Sequence, residues 1–230
     1  MDRKKRLAPF APNLFPPPTF LKNPKLRDNH NFTEDALHQM TPHKKALIIS
    51  DLCDKIMSAC NPSTDLKYNI IDTCAGIGGN TMAFALNSKI HRIYATECDQ
   101  STFDMLHRNM NNLNGHVPIE AQKAHFDTDL LQTILAKDPA HPTGIFVDPP
   151  WGLQRPYLDL FHRSLCADSG QDNTVHAWLM KAMVMPGVAF MIIKVPKDYP
   201  WNNEVDTPPG VHMRRVSSIA KMDMLCFTHQ

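Results

Sequence analysis

The run from Tyr68 to Leu86 constrains the fold more than any other part of this sequence. Tyr68-Asn69-Ile70-Ile71-Asp72 has the apolar, β-branched composition of a buried strand. A glycine-rich turn follows in Thr73-Cys74-Ala75-Gly76-Ile77-Gly78-Gly79-Asn80, and Thr81 to Leu86 begins a helix. A strand, a glycine turn and a helix form a nucleotide-binding geometry, because glycine lets the backbone approach a ligand closely. The run therefore predicts an α/β protein with a ligand site beside this turn.

The glycine spacing separates two kinds of nucleotide cofactor. The dehydrogenase fingerprint needs glycine at its first, third and sixth positions, and the sixth position counted from Gly76 is Thr81. A nicotinamide dehydrogenase is therefore disfavoured. Gly-x-Gly-Gly preceded by Asp72 fits instead a turn that receives the amino-acid end of S-adenosylmethionine. Glu97 lies 18 residues past Gly79 at the tip of the next strand. That spacing is typical of an acid that grips ribose hydroxyls, although a surface acid at a strand end is the alternative.

A second informative stretch runs from Ile145 to Gly152. Its three apolar residues predict a buried strand that ends at Asp148, where two prolines force an extended turn. The Asp148 carboxylate and the Pro149 carbonyl could accept both N–H bonds of an aryl amine, which would orient the amine and localise its lone pair. Stacking of Trp151 on the ring would contribute about 1–3 kcal/mol. A proline turn with an inward-packed tryptophan is the structural alternative.

The remaining elements predict the fold class. Thr41 is a candidate N-cap for a helix that has Pro42 at its first position and runs to about Ala59. Further helices are expected at 100–113, 130–135, 157–165 and 175–183, and further strands at 91–97, from 117, 188–195, 211–219 and 222–228, with a turn at 220–221. Asp127 follows the third strand, at the edge where an adenine could lie. We predict a class I, Rossmann-like S-adenosylmethionine-dependent methyltransferase fold: a mostly parallel seven-stranded sheet with a C-terminal antiparallel hairpin.

The N-terminal segment differs from the rest of the chain. Residues 1–39 are expected to form a proline-rich, basic arm with a short helical extension capped by Asn31 or Thr33, and residues 40–230 form the methyltransferase domain. Residues 1–45 carry nine Lys and Arg against four Asp and Glu. This excess indicates either a phosphate-bearing partner or a solvated tail.

Composition excludes several other classes. No apolar run approaches the roughly 18 residues of a membrane span, and the N-terminus lacks a signal core. We expect a soluble protein of the nucleus or cytoplasm. The six cysteines are scattered singly and the twelve histidines show no paired ligand spacing. These patterns predict free thiols, no disulfide framework and no metal site.

Four segments resemble one known family. Ile71-Asp72-Thr73-Cys74-Ala75-Gly76-Ile77-Gly78-Gly79-Asn80-Thr81-Met82-Ala83-Phe84-Ala85 resembles the cofactor motif of the trimethylguanosine synthases. Met40-Thr41-Pro42-His43-Lys44, Asp148-Pro149-Pro150-Trp151-Gly152 and Lys194-Val195-Pro196-Lys197-Asp198 resemble the same family in the same order. The resemblance covers about residues 32–230. It implies methyl transfer from S-adenosylmethionine to N2 of the 7-methylguanosine RNA cap.

The resemblance also implies roles for individual residues. Trp151 would stack on the methylated guanine, Lys44 and Lys197 would contact the cap phosphates, and Glu97 would hold the cofactor ribose. With the inferences above, the expected catalytic residues are Asp148, Pro149 and Trp151, and the expected substrate-binding residues are Trp151, Lys44 and Lys197. The expected cofactor-binding residues are Thr41, Asp72, Gly76, Gly78, Asn80, Thr81, Glu97, Asp127 and Asp148.

Two other functions stay open from the sequence. Asp-Pro-Pro-Trp is also a signature of N6-adenine methyltransferases acting on RNA or DNA. A non-catalytic cap-binding module would keep the aromatic clamp without the chemistry. For the favoured function we expect a monomer that binds capped RNA and no membrane, and that reaches particular RNAs through a protein partner.

Overall fold

A seven-stranded sheet forms the centre of the protein in a computed structural model that describes residues 7–8, 12–23, 32–62, 65–115, 117–149, 175–197, 199–201, 206–219 and 222–229. We number the strands of this sheet along the chain: β1 Tyr68–Asp72, β2 Ile90–Glu97, β3 Ile119–Lys123, β4 Thr143–Val147, β5 Val188–Pro196, β6 Val211–Ile219 and β7 Met222–His229. Their order across the sheet is β3-β2-β1-β4-β5-β7-β6.

The strand directions confirm the predicted topology. Strands β1 to β5 pair in parallel, while β7 is inserted antiparallel between β5 and β6. Every residue of β1 and β4 is buried. This burial explains why apolar residues stand next to each other at Ile70-Ile71 and Ile145-Phe146-Val147, because both faces of a parallel sheet are covered.

The described part of the chain contains six α-helices, and helices pack on both faces of the sheet. They are α1 Glu34–Gln39, α2 His43–Cys60, α3 Gly79–Phe84, α4 Gln100–Asn112, α5 Thr128–Lys137 and α6 Val175–Ala182. One buried cluster joins the sheet to α2 and α4 through residues such as Ile49 and Leu106. The other joins it to α5 and α6 through Leu131 and Leu179. The C-terminal ends of the parallel strands lie along one edge of the sheet. In open α/β sheets, ligands bind at this edge.

Residues 20–23 of the N-terminal segment lie against the end of α4. The Lys22 N–H donates to the Asn112 carbonyl at 2.7 Å. The arm is anchored more deeply than a surface segment, since Phe15 is 6% exposed and its ring lies 5.0 Å from that of Phe32. Thr33 caps α1 by accepting from the Ala36 N–H, so one of the two proposed caps is confirmed. The domain boundary at residues 39 and 40 stays a prediction.

Several predicted details change. The prediction of Thr41 as the N-cap of α2 was wrong: Pro42 holds that position and the Thr41 hydroxyl bonds elsewhere. Helix α3 begins two residues before Thr81, and β3 begins at Ile119 rather than near residue 117. The expected helix at 157–165 and turn at 220–221 lie outside the described residues.

The sequence predicted no disulfide framework and no membrane span, and the described residues bear on both. The five described cysteines are all free thiols, of which two are buried. Within the same residues, the helices are too short or too polar to cross a membrane.

Candidate active site

Three acidic side chains reach the C-terminal edge of the sheet. Asp72 ends β1, Glu97 ends β2 and Asp148 follows β4 by one residue. Because these strands are neighbours and parallel, the three carboxylates surround the glycine turn after β1. The site predicted from separate sequence segments is therefore assembled at one edge of the sheet.

The Asp148 carboxylate is held by three donors, all on Oδ2. Lys194 Nζ lies 2.6 Å from this atom, the Thr41 hydroxyl 3.2 Å and Asn80 Nδ2 3.3 Å. Lys194 and Asn80 also donate to the Thr41 oxygen, at 2.9 and 3.3 Å. The other carboxylate oxygen, Oδ1, accepts no hydrogen bond from the described residues. The network fixes the direction of the carboxylate and leaves this second oxygen for another donor.

Lys194 is the part of this network that the sequence analysis did not assign to the site. Its side chain is 13% exposed and that of Asp148 is 11% exposed, so the two charges compensate each other at a nearly dry position. A signal was present in the sequence, because Lys194 interrupts the apolar run of β5 near its C-terminal end. A lysine at such a position needs a counter-charge from a neighbouring strand end.

The glycine turn has the backbone that its sequence predicted. Gly76 and Gly78 have φ of +56° and +95°, which favour glycine. A Cβ at Gly79 would lie 2.8 Å from the Thr41 carbonyl oxygen, so the segment before α2 packs directly on the turn. The buried Asn109 amide donates to the Ile77 carbonyl at 2.7 Å and supports the turn from the α4 side. The turn and the segment before α2 therefore form one unit.

Asp72 lies fully buried beneath the turn. The Thr81 hydroxyl donates to its Oδ2 at 2.7 Å. Burial is the main cause that raises the pKa of this carboxyl to about 7, with smaller contributions from the nearby Asp148 and Glu97 charges. Asp72 Oδ1 and the buried Asn80 Oδ1 find no hydrogen-bond partner among the described residues. Two buried acceptors next to a glycine turn indicate a ligand that brings donors.

Glu97 contacts the turn from the neighbouring strand. Its two carboxylate oxygens accept from the Gly76 N–H at 3.0 Å and from the Asp99 N–H at 2.9 Å. A carboxylate has about four lone-pair sites, so two of them remain for ligand hydroxyls. The position is that expected for a ribose contact.

The other predicted site residues are less closely joined to this cluster. The exposed Asp127 caps α5 by accepting from the Leu130 N–H at 2.8 Å. Lys44 and Lys197 are exposed at the start of α2 and just after β5, and neither forms an ion pair with a described residue. Pro149 is buried. Trp151 lies outside the described residues.

A second residue near the site was missed. His43 begins α2 and is 7% exposed, and its Nδ1 has no hydrogen-bond partner in the described structure. Burial lowers the pKa of its imidazole, which favours the neutral ring. Nothing in the sequence distinguished His43 from a surface residue in a first helical turn.

Comparisons with known proteins agree with this geometry. The family described as RNA cap guanine-N2 methyltransferase matches residues 67–168, a little under half of the chain. A search of curated protein sequences found no significant match.

Three solved structures illustrate the likeness of fold. A human methyltransferase 10 domain containing protein has a TM-score of 0.55 at 14% identity, covering 83% of this chain and 84% of that chain. The METTL16 MTase domain has a TM-score of 0.54 at 13% identity, covering 78% and 66%. The rRNA methyltransferase AviRa from Streptomyces viridochromogenes has a TM-score of 0.50 at 14% identity, covering 77% and 83%. At these identities the likeness shows the fold alone.

The sheet order, the glycine turn and the three strand-end acids define the class I S-adenosylmethionine-dependent methyltransferase fold. Within that class, the family match confirms the resemblance to the trimethylguanosine synthases, the RNA cap guanine-N2 methyltransferases.

The residues at the turn fit S-adenosylmethionine. Asp72 Oδ1 and Asn80 Oδ1 are buried acceptors, and among the described residues no atom beyond the chain neighbours lies within 4 Å of a Cβ placed at Gly76. These features would hold the amino-acid end of the cofactor, including its ammonium group, while Glu97 would hold its ribose. When bound, the cofactor supplies an electrophilic methyl group on a sulfonium.

Proposed function

We propose that this protein transfers a methyl group from S-adenosylmethionine to the exocyclic N2 amine of a 7-methylguanosine RNA cap. Its substrate is capped RNA, and the product carries an N2-methylated cap. The family match to residues 67–168 supports this choice of substrate within the class.

The observation that carries the proposal is the fixed direction of the Asp148 carboxylate. Three donors occupy Oδ2, and Oδ1 accepts no bond from the described residues. An N–H of a bound amine would complete the acceptor set of Asp148. The Pro149 carbonyl is the proposed acceptor for the second N–H, as the Asp-Pro-Pro turn implies.

The proposed role of these acceptors is positioning. The lone pair of an aryl amine is delocalised into the ring, and acceptors on both of its protons hold the nitrogen in one orientation. A nucleophile that is held in the reactive orientation reacts faster, because the entropy cost of positioning is met when the substrate binds. Methylation at N7 places a positive charge on the guanine, which makes loss of an N1 or N2 proton less costly. Asp148 and Pro149 therefore act in this proposal by holding N2.

Trp151, Lys44 and Lys197 have proposed roles in binding the cap. A cationic base stacks more strongly on an indole than a neutral base does, so Trp151 would select 7-methylguanosine. Lys44 and Lys197 are exposed lysines at the start of α2 and just after β5, and in this proposal their positive charges bind the phosphate chain. Lys197 would contact phosphate as a single point charge, whereas an arginine would contact it with two parallel hydrogen bonds.

The second candidate is N6-adenine methylation of RNA or DNA, because Asp148-Pro149-Pro150-Trp151 would orient an adenine amine by the same chemistry. A direct test compares methyl transfer from labelled cofactor to three acceptors: RNA with a 7-methylguanosine cap, the same RNA with an unmethylated guanosine cap, and an uncapped adenine-bearing RNA. The proposal expects transfer to the first alone. Equal transfer to capped and uncapped adenine-bearing RNA would favour the adenine enzyme. Cap binding without transfer would indicate a cap-binding module.

A further inference from the structure

A second cluster of ligand-type side chains lies at the opposite edge of the sheet from the active site. His91 is the second residue of β2, Asp138 follows α5, and His141 precedes β4 by two residues. One ligand atom from each residue lies within 4.8 Å of the others. Because His91 is far in the sequence from Asp138 and His141, histidine spacing gave no sign of this group.

A bulge in the sheet brings His91 into the cluster. Tyr68 pairs with Ile90 and Asn69 pairs with Arg92, so His91 is an extra residue in the parallel pairing of β1 and β2. Bulges are rare in parallel pairs and often redirect a side chain next to a site. Asn69, across the bulge, donates to Asp138 Oδ2 at 3.2 Å and orients that carboxylate.

The distances within the cluster combine one hydrogen bond with one contact that has the spacing of two metal ligands. His141 Nδ1 lies 2.9 Å from Asp138 Oδ1, whereas His91 Nε2 lies 3.5 Å from Asp138 Oδ2, which is long for a hydrogen bond. Ligands held about 2.0–2.2 Å from a tetrahedral zinc ion are about 3.3–3.5 Å apart. The His91 contact therefore already has the spacing of two ligands across a metal.

The exposure of the cluster would let an ion enter. The side chains of His91, His141 and Asp138 are 36%, 28% and 17% exposed. The two imidazole rings are stacked 3.8 Å apart and nearly parallel. Since the lone pairs of parallel rings do not converge, one ring has to rotate on binding, and exposure on one side permits this. The positive charges of Arg92 and Lys67 near His91 oppose the ion and limit the affinity.

We propose that His91, Asp138 and His141 bind a divalent transition-metal ion of the zinc type, with water as the remaining ligand. Two neutral imidazoles and one carboxylate form a donor set suited to zinc, and three protein ligands leave an open position. Asn69 would act as the outer partner that orients the carboxylate. The ion would fasten the bulge of β2 to the segment between α5 and β4.

The test titrates Zn²⁺ into the full chain, freed of metal with a chelator, and follows the melting temperature and the heat of binding. We expect saturable binding and a raised melting temperature by ligand linkage. His141→Ala and Asp138→Asn should each lose both effects, and Asn69→Ala should weaken binding by about 10-fold or more. His212→Ala, which removes an exposed histidine on β6, is the matched control and should leave both effects unchanged.

A spectroscopic measurement separates this cluster from the exposed cysteines. Co²⁺ bound by His91, Asp138 and His141 should give visible absorption without a thiolate charge-transfer band, and the absorption should vanish in His141→Ala. The proposal is overturned if wild type shows no saturable Zn²⁺ binding, in which case the stacked pair is only a brace. It is also overturned if His141→Ala and Asp138→Asn bind Zn²⁺ as wild type does.

Discussion

Lys194 on β5 and Asp148 after β4 form a nearly buried ion pair, with Nζ 2.6 Å from Oδ2. The pair links two neighbouring strand ends at the edge that carries the glycine turn. The acid that we assign to amine positioning is thus held by a cation from the next strand, and its direction depends on that cation. Thr41 and Asn80 complete the link to α2 and α3.

Replacing Lys194 should destabilise the fold and disturb the site together. Lys194→Met leaves a nearly buried carboxylate without its counter-charge, which costs about 3 kcal/mol, the lower end for breaking a buried pair. The double variant Lys194→Met with Asp148→Asn should recover part of this loss. Urea unfolding of both variants measures the free energies. Lys181→Met on the exposed side of α6 is the matched control and should lie near wild type. Identical unfolding of the Lys194 and Lys181 variants would show that the ion pair contributes nothing.

The two left-handed glycines should respond differently to alanine. At Gly78 a methyl would meet Met110 Cε at 2.6 Å in addition to the strain of φ +95°, whereas at Gly76 the methyl would point into open space. Gly76→Ala should therefore cost about 1–2 kcal/mol of backbone strain, and Gly78→Ala more, by about 1 kcal/mol of overpacking. Urea unfolding gives the order. A larger loss for Gly76→Ala would contradict the turn geometry.

The methyl of Gly76→Ala should also affect the cofactor. The methyl would occupy the open space beside Gly76 where the cofactor is proposed to bind. Binding of S-adenosylhomocysteine to the folded variant should therefore weaken. Calorimetric titration of the folded variant measures this. Unchanged affinity would place the cofactor away from Gly76.

The raised pKa of Asp72 predicts a specific pH dependence. The pKa rises from 3.8 to about 7 on folding, so between these values the folded state binds more protons than the unfolded state. The free energy of unfolding should therefore fall as pH rises through this window. Asp72→Asn should flatten that slope, which urea unfolding at several pH values would reveal. An equally steep fall in the variant would assign the slope to another group.

Cofactor binding should show the opposite trend. The ammonium of S-adenosylhomocysteine favours the ionised Asp72, so wild-type affinity should increase as pH rises through about 7. Asp72→Asn should bind more weakly than wild type above about pH 7, where Asp72 is ionised, and should lack this increase. Affinity that is independent of pH in wild type would remove Asp72 from the ammonium contact.

Lys44 and Lys197 should matter for the phosphate chain rather than for the base. Replacing either with alanine should raise KM for a cap dinucleotide by several fold and change KM for 7-methylguanosine less. Added salt should narrow the difference between wild type and variant, because exposed charges are screened. Equal losses with both substrates would mean that the lysines support the fold or the cofactor.

The fold was predictable because its signals are local. β1 was predicted with its observed bounds, since a short β-branched run before a glycine turn has few alternative structures. The assembly of Thr41, Asn80 and Asp148 was predictable only as a shared sheet edge, and their hydrogen bonds depend on packing between elements. Thr41 was misassigned because a threonine before Pro42 also fits an N-cap, and the nearby Asp148 carboxylate offers its hydroxyl a charged acceptor instead. The cluster of His91 and Asp138 depends on a strand bulge that leaves no mark in the sequence.

The most direct test of the proposed function locates the transferred methyl group. RNA bearing a 7-methylguanosine cap and internal adenosines is incubated with the protein and methyl-labelled S-adenosylmethionine, then digested to nucleosides and separated. Asp148→Asn serves as the variant with a disturbed acceptor, and the protein heated before use serves as the blank. The proposal predicts label in an N2-methylated 7-methylguanosine and a strong reduction in the variant. Label in N6-methyladenosine, with none in the cap nucleoside, would contradict it.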